Sequence, residues 1–220
     1  MATVLYITAH PLTEAESFSL KVGKAFLDAY REAAPDDQIV RLDLYHMDIP
    51  LLDAAVLRGQ SQLREGATFA QLPADAQRKI SRLTELADQF VAADKYVFVT
   101  PFWNLSFPPM MKAYIDAICV AGKTFKYTET GAIGLLKNKR ALHIQARGGV
   151  YSEGPAAQME FGHRYLEALL HFFGIDDVEA LIIEGHAHHP ERADQILADA
   201  LRRAPEAARR FAKSLTGAAL

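Results

Sequence analysis

Three stretches of this chain carry side chains that could do chemistry, and each follows an apolar run. The first is Ala9-His10-Pro11, then a polar loop, then Ser17-Phe18-Ser19 at the start of a helical pattern. A helix start offers unpaired N–H groups and the positive end of the dipole, and the two hydroxyls add further donors. That set suits a phosphate monoester held by hydrogen bonds; the competing reading is an ordinary serine cap. The second stretch is Pro101-Phe102-Trp103-Asn104-Leu105-Ser106-Phe107-Pro108-Pro109. Adjacent aromatics, an amide and a stiff proline frame supply apolar walls and directed polar groups for a planar heterocycle. In the competing reading Trp103 belongs to the core. The third runs from Ala146-Arg147-Gly148-Gly149-Val150-Tyr151 to Pro155. Its paired glycines let backbone N–H groups approach a ligand and stabilise negative charge on its edge, or simply make a turn.

Other groups carry less. Gly122-Lys123-Thr124 ends like a phosphate-binding P-loop, but Ala117 stands where that motif needs its first glycine. No G-x-G-x-x-G follows the first apolar run, which argues against a Rossmann dinucleotide site. His186, His188 and His189 sit in one loop without an evident carboxylate set, so they read as solvated or packing residues and no metal is expected. Glu184 and Glu153 have nothing to fix their separation as an acid/base pair. Cys119, the lone cysteine, reads as an apolar filler and excludes an internal disulfide.

The elements that must position these loops alternate. Five β-rich runs, Thr3–Thr8, Ile39–Asp43, Lys95–Thr100, Ala141–Ala146 and Val178–Ile183, are separated by helical patterns. The helices are expected at Ser17–Ala34, Asp75–Ala92, Pro108–Val120, Glu160–Phe173 and Pro190–Leu215. Continuous apolar runs such as Val97-Phe98-Val99 suit strands covered on both faces. The pattern implies right-handed crossovers and an α/β, doubly wound, five-stranded parallel sheet flanked by helices. Such sheets bind ligands beyond the carboxyl ends of their strands, where all three stretches lie. Met47–Gln71 breaks the alternation and reads as a loop with short helical pieces.

The 220 residues, half of them hydrophobic, fit one domain over 1–220. A net charge of −3 gives no support for nucleic-acid binding. No apolar run is long enough to span a bilayer, and the start of the chain does not read as a signal peptide, so a cytoplasmic protein is expected.

Together, Pro101–Pro109, Ala121–Thr128, Ala146–Pro155 and Ile183-Glu184-Gly185-His186 resemble the FMN-dependent NADH azoreductases, also described as FMN-dependent NADH:quinone oxidoreductases. The resemblance spans nearly the whole chain. It implies a flavodoxin-like fold, non-covalent FMN, and NADH or NADPH as the reductant of quinones and azo compounds by a ping-pong mechanism. Hydride chemistry would belong to FMN, with no catalytic side chain required. By the resemblance, Ser17, Phe18 and Ser19 hold the FMN phosphate with His10 close by. Pro101, Phe102, Trp103, Asn104 and Leu105 border the ring and ribityl chain, while Ala146, Arg147, Gly148, Gly149 and Tyr151 line the pyrimidine side. The resemblance also implies a homodimer with active sites at its interface, where Tyr127 and Phe172 contact substrate. Many members carry serine where His10 and Ala146 stand here. The alternative from another class is a flavodoxin-like electron carrier, which would not oxidise NADH by itself.

Overall fold

A computed structural model describes residues 1–213. Its strands are β1 (Thr3–Thr8), β2 (Gln38–Asp43), β3 (Lys95–Pro101), β4 (Phe125–Thr128), β5 (Gly131–Gly134), β6 (Arg140–Arg147) and β7 (Asp177–Glu184). Its helices are α1 (Phe18–Ala33), α2 (Ala54–Arg64), α3 (Ala74–Ala92), α4 (Pro109–Ile118), α5 (His163–Phe173) and α6 (Ala193–Ala212). Five strands form one parallel sheet in the order β2-β1-β3-β6-β7. The chain therefore leaves β1 for one edge and returns to β3 on the other side. That reversal opens a crevice beyond the carboxyl ends of β1 and β3.

Alternation along the central strands builds two cores. Leu5, Ile7, Tyr96 and Phe98 pack towards α3, α4 and α5, whereas Val4, Tyr6, Val97 and Val99 pack towards α1 and α6. Every residue of β3 is buried, as the continuous apolar run requires, while edge strand β2 is mostly exposed or half-buried.

Three departures from the sequence expectation have local causes. Helix α5 starts at His163 rather than Glu160, because Glu160 serves as its cap. The Glu160 carboxylate accepts from the N–H groups of Gly162, His163 and Arg164 at 2.8, 2.7 and 3.0 Å. The excursion after β2 holds α2, an 11-residue helix capped by Asp53 and burying only Val56 and Gly59. So narrow an apolar stripe gives little periodic signal. The third is the antiparallel hairpin β4–β5, whose four-residue strands are mostly exposed and too short to set up a clear period. At the other end of the chain, Pro190–Arg192 is a 3-10 turn, and the last expected helical positions, 214–215, lie outside the described residues.

Candidate active site

At the carboxyl edge of the sheet, loops from four strands enclose a cleft of about 380 Å³. The loop after β1 supplies His10 and Glu16, and α1 starts there with Ser17 and Phe18. Pro101, Phe102 and Trp103 come from the end of β3, Ala146 and Gly148 from β6, and His186 from the loop after β7.

The α1 start is pre-organised. The Ser17 Oγ accepts from the Leu20 N–H at 3.4 Å and lies 3.0 Å from the Ser19 Oγ. Serine capping and ligand donation are therefore not exclusive here: Ser17 caps the helix and still lines the cleft. Ser19 is fully buried behind it. The Leu12 N–H donates to the His10 Nδ1 at 3.0 Å, which leaves the ring's proton on Nε2 in its neutral form. Burial pushes His10 below the ordinary histidine range, partly offset by the Glu16 carboxylate. Both Glu16 contacts with Thr13, at 2.7 Å to the hydroxyl and 3.1 Å to the N–H, hold that carboxylate at the rim.

After β3 the chain makes a tight reversal. Asn104 and Leu105 both have positive φ, 49° and 69°, while Trp103 and Ser106 exchange backbone hydrogen bonds of 2.8 and 3.0 Å. Left-handed geometry costs an L-residue such as leucine about 1–2 kcal/mol. The Phe161 N–H donating to the Leu105 carbonyl at 3.0 Å helps to hold it. The reversal puts Trp103 at the surface, 38% exposed, with its ring 5.5 Å from His10. Trp103 thus belongs to the cleft wall and not to the core.

The glycines after β6 act differently from the expectation. Neither Gly148 nor Gly149 has a positive φ; what constrains Gly149 is the Tyr151 ring, 3.0 Å from where a Cβ would stand. Their carbonyls accept from the loop after β7, with Gly148 taking the Ala187 and His188 N–H groups at 3.0 Å and Gly149 taking that of Gly185 at 3.1 Å. Among the described residues their own N–H groups donate to no backbone carbonyl.

Arg147 does not line the cleft. Its guanidinium is buried behind Phe102, 5.5 Å from the ring centroid, and Tyr151 packs on Phe102 at 4.7 Å. There it meets Glu160 at 3.3 Å and Glu184 at 3.5 Å and donates to the Gln145 side chain at 2.9 Å. Glu184 also accepts from the Tyr151 and Ser152 N–H groups at 3.0 and 3.2 Å, pinning the glycine loop. Glu184 is thus a fastening for this loop. Gln145 continues to Thr100 at 3.4 Å, and Thr100 to the fully buried His143 at 2.9 Å. Burial holds His143 well below its ordinary range.

Tyr127 and Phe172 stand apart from the cleft, on β4 and α5. Phe125 packs against both, at 5.4 and 4.6 Å, and Tyr127 is 75% exposed. In the P-loop-like stretch, Lys123 pairs with Asp88 and the buried Thr124 hydroxyl donates to the Ile118 carbonyl at 2.9 Å. Both groups are used in closing the turn after α4. Burial also pushes the Cys119 thiol up, away from thiolate chemistry. Among the described residues, no three His, Cys, Asp or Glu gather as a metal site, and no helix is long and apolar enough to cross a membrane.

Two lining residues, Glu16 and His186, were not singled out from sequence as cleft residues. The available signal for His186 was its place: it follows the end of a strand, as the other cleft groups do.

Residues 2–207 match a family described as Flavodoxin-like fold. An FMN-dependent NADH:quinone oxidoreductase of Halalkalibacterium halodurans is 59% identical over 96% of this chain and 100% of its own length. The FMN-dependent NADH:quinone oxidoreductase of Bacillus velezensis is 57% identical over the same shares. Among solved structures, an FMN-dependent NADH-azoreductase from Bacillus anthracis in complex with FMN superposes with a TM-score of 0.90. It is 35% identical, over 97% of this chain and 100% of that one. With identities this high over almost the full length, and with the crevice of a doubly wound sheet lined as described, the chain belongs to the flavodoxin-like family of FMN-dependent NADH:quinone oxidoreductases and azoreductases.

Proposed function

We propose that this chain binds FMN non-covalently and reduces quinones and azo compounds with electrons from NADH, the whole chain acting as one FMN-binding domain. The cleft carries the reading, because it combines an anion-binding helix start with aromatic walls and free backbone donors. Its polar groups fit the cofactor: the Ser17 hydroxyl and the first N–H groups of α1 face a place for a phosphate, and no lysine or arginine is among the lining residues. The N–H of Gly148, a lining residue, donates to no backbone carbonyl among the described residues and adds an unused donor.

FMN, when bound, supplies hydride acceptance and two-electron transfer. The protein's work is binding, orientation and exclusion of water. Phe102 and Trp103 would wall the ring, and the Gly148 and Gly149 N–H groups would stabilise negative charge at its pyrimidine edge. No side chain needs to act as a nucleophile. With the loops over one face of the ring, NADH and the electron acceptor would have to use the other face in turn. Initial-rate plots with NADH varied at several quinone concentrations are expected to be parallel. Intersecting lines, with a ternary complex trapped by rapid mixing, would reject the shared face. A protein that binds FMN yet fails to oxidise NADH steadily would instead be an electron carrier.

The active assembly in this reading is a two-fold homodimer, the commonest closed assembly. Exposed Tyr127 and Ile133 on the β4–β5 hairpin, and Phe161 and Tyr165 at the start of α5, support it, since large apolar side chains left at the surface suit an interface. Only a second copy could bring Tyr127 and Phe172 towards a substrate over the cleft. Phe172→Ala should then change acceptor selectivity more than FMN content, and sedimentation should show a dimer at micromolar concentration. A fully active monomer would exclude this arrangement. A lone, unpaired cysteine supports a reducing, cytoplasmic setting.

A further inference from the structure

A second hollow, of about 460 Å³, lies behind the cleft wall, between the loop after β6, the start of α5 and β7. Arg147, Tyr151 and Ser152 line it from one side, Glu160, His163 and Arg164 from another. Arg147 and His163 are the two ends of one polar chain, and that chain has a direction. The Arg147 Nε donates to the Gln145 Oε1 at 2.9 Å, which turns the amide nitrogen to the Thr100 Oγ1 at 3.4 Å. A guanidinium can only donate, so the amide has no other orientation. The fully buried Thr100 hydroxyl then gives its own proton to the His143 Nε2 at 2.9 Å. Burial keeps His143 neutral, so its one ring proton sits on Nδ1 and points at the His163 Nδ1, 3.3 Å away. That leaves the proton of a neutral His163 on Nε2. This nitrogen has no hydrogen-bond partner among the described residues, yet it is open to water and not sealed in the core. The chain thus ends in a donor at both places, and both ends border the same hollow.

The charges around the hollow define what fits those donors. The Arg147 terminal nitrogens stand 3.3 Å from Glu160 and 3.5 Å from Glu184. A charge-assisted hydrogen bond measures about 2.7–2.9 Å, so the guanidinium keeps unused N–H groups. The Glu160 carboxylate, by contrast, is spent on three N–H groups at the start of α5. Arg164 is exposed at the rim and forms no ion pair among the described residues. The lining therefore holds two guanidinium groups against one carboxylate, a surplus of one positive charge. Donors with that surplus call for an acceptor-only monoanion. A planar carboxylate matches the guanidinium fork, whereas a phosphate dianion would bring a second negative charge towards Glu160 and Glu184.

We propose that this hollow binds a small carboxylate between the Arg147 guanidinium, the His163 Nε2–H and Arg164, and that its occupancy is coupled to the flavin cleft. The coupling runs through Phe102, which has the Arg147 guanidinium 5.5 Å from its ring centroid and the Tyr151 ring at 4.7 Å. An anion that steadies Arg147 and Tyr151 steadies that wall. The coupling, though not the site, rests on the FMN reading given above.

The test is thermal melting of the full-length protein as purified, with sodium acetate replacing sodium chloride at constant ionic strength. Acetate at tenfold over its dissociation constant is expected to raise Tm by about 3–6 °C, and the rise should saturate. Arg164→Ala alters only the exposed rim and should raise the half-saturating acetate concentration about threefold or more. His163→Phe keeps the ring volume, removes the Nε2–H and should raise it about tenfold. Acetate should also tighten FMN in a fluorescence titration by about threefold, and Arg164→Ala should abolish that gain at the same acetate concentration. A melt that responds to acetate no more than to chloride, or identically in Arg164→Ala, would overturn the site. Inorganic phosphate acting as strongly as acetate would overturn the choice of a carboxylate. Saturable acetate binding in a protein that takes up no FMN would leave the site standing and overturn the FMN reading with its coupling.

Discussion

Arg147→Ala is expected to lower Tm by roughly 6–20 °C and to leave the purified protein with little flavin. Arg147 is 2% exposed and lies between two carboxylates, Glu160 at 3.3 Å and Glu184 at 3.5 Å. Removing one partner of a buried ion pair costs about 3–5 kcal/mol, because the remaining charge keeps its desolvation penalty and loses its compensation. In a chain of this size each kcal/mol moves Tm by about 2–4 °C, which sets the expected range. The loss of flavin follows from what those carboxylates hold. Glu184 fastens the Tyr151 and Ser152 N–H groups, Glu160 caps α5, and the guanidinium backs the Phe102 ring. Three parts of the cleft edge thus share one cation. Arg147→Lys should fall between the two proteins, since a point charge cannot reproduce the planar fork that also reaches Gln145. Thermal melts and the ratio of flavin to protein absorbance would check this. A Tm within about 2 °C of wild type and full flavin content would show that the loops are held by something else.

Gly134→Ala is expected to separate stability from cofactor binding. A Cβ at Gly134 would stand 2.2 Å from the Gly174 nitrogen and 2.3 Å from the Phe173 carbonyl carbon. Both neighbours are backbone, at the end of α5, where Gly174 takes a φ of 93° and the Leu136 N–H donates to the Phe173 carbonyl at 2.8 Å. Neither can rotate away as a side chain would, so the β4–β5 hairpin must lift. Overpacking of this kind costs about 1–3 kcal/mol and sometimes more, a fall in Tm of roughly 2–12 °C. Limited proteolysis should newly cut within 121–136. Flavin content should stay normal, because no residue of the hairpin lines the cleft. If Tyr127 contributes to a substrate site across a dimer, KM for the acceptor should rise as well. An unchanged Tm and cleavage pattern would mean that the hairpin does not rest on α5 in solution.

The two variants mark a division in how this protein is encoded. Period and composition were enough for the five strands of the parallel sheet, for most helix cores, and for the placement of three cleft-lining loops after β1, β3 and β6. These are local properties: an apolar run of five or six residues or a serine before a helical stripe acts through its immediate neighbours. Family resemblance added the identity of the cofactor, which no spacing in the chain specifies. Tertiary structure alone decided which side chains share a place. The sheet order β2-β1-β3-β6-β7 sets the ends of β6 and β7 side by side, so Arg147 finds Glu184, and His186 comes down upon Phe18. In the sequence, Arg147 read as a cleft-lining residue, Glu184 as an unpersuasive acid and His186 as a solvated loop residue. The pairing of distant charges, the burial of an imidazole nitrogen and the contact of Gly134 with Gly174 depend on which elements become neighbours, and that is fixed only when the whole sheet has closed against its helices.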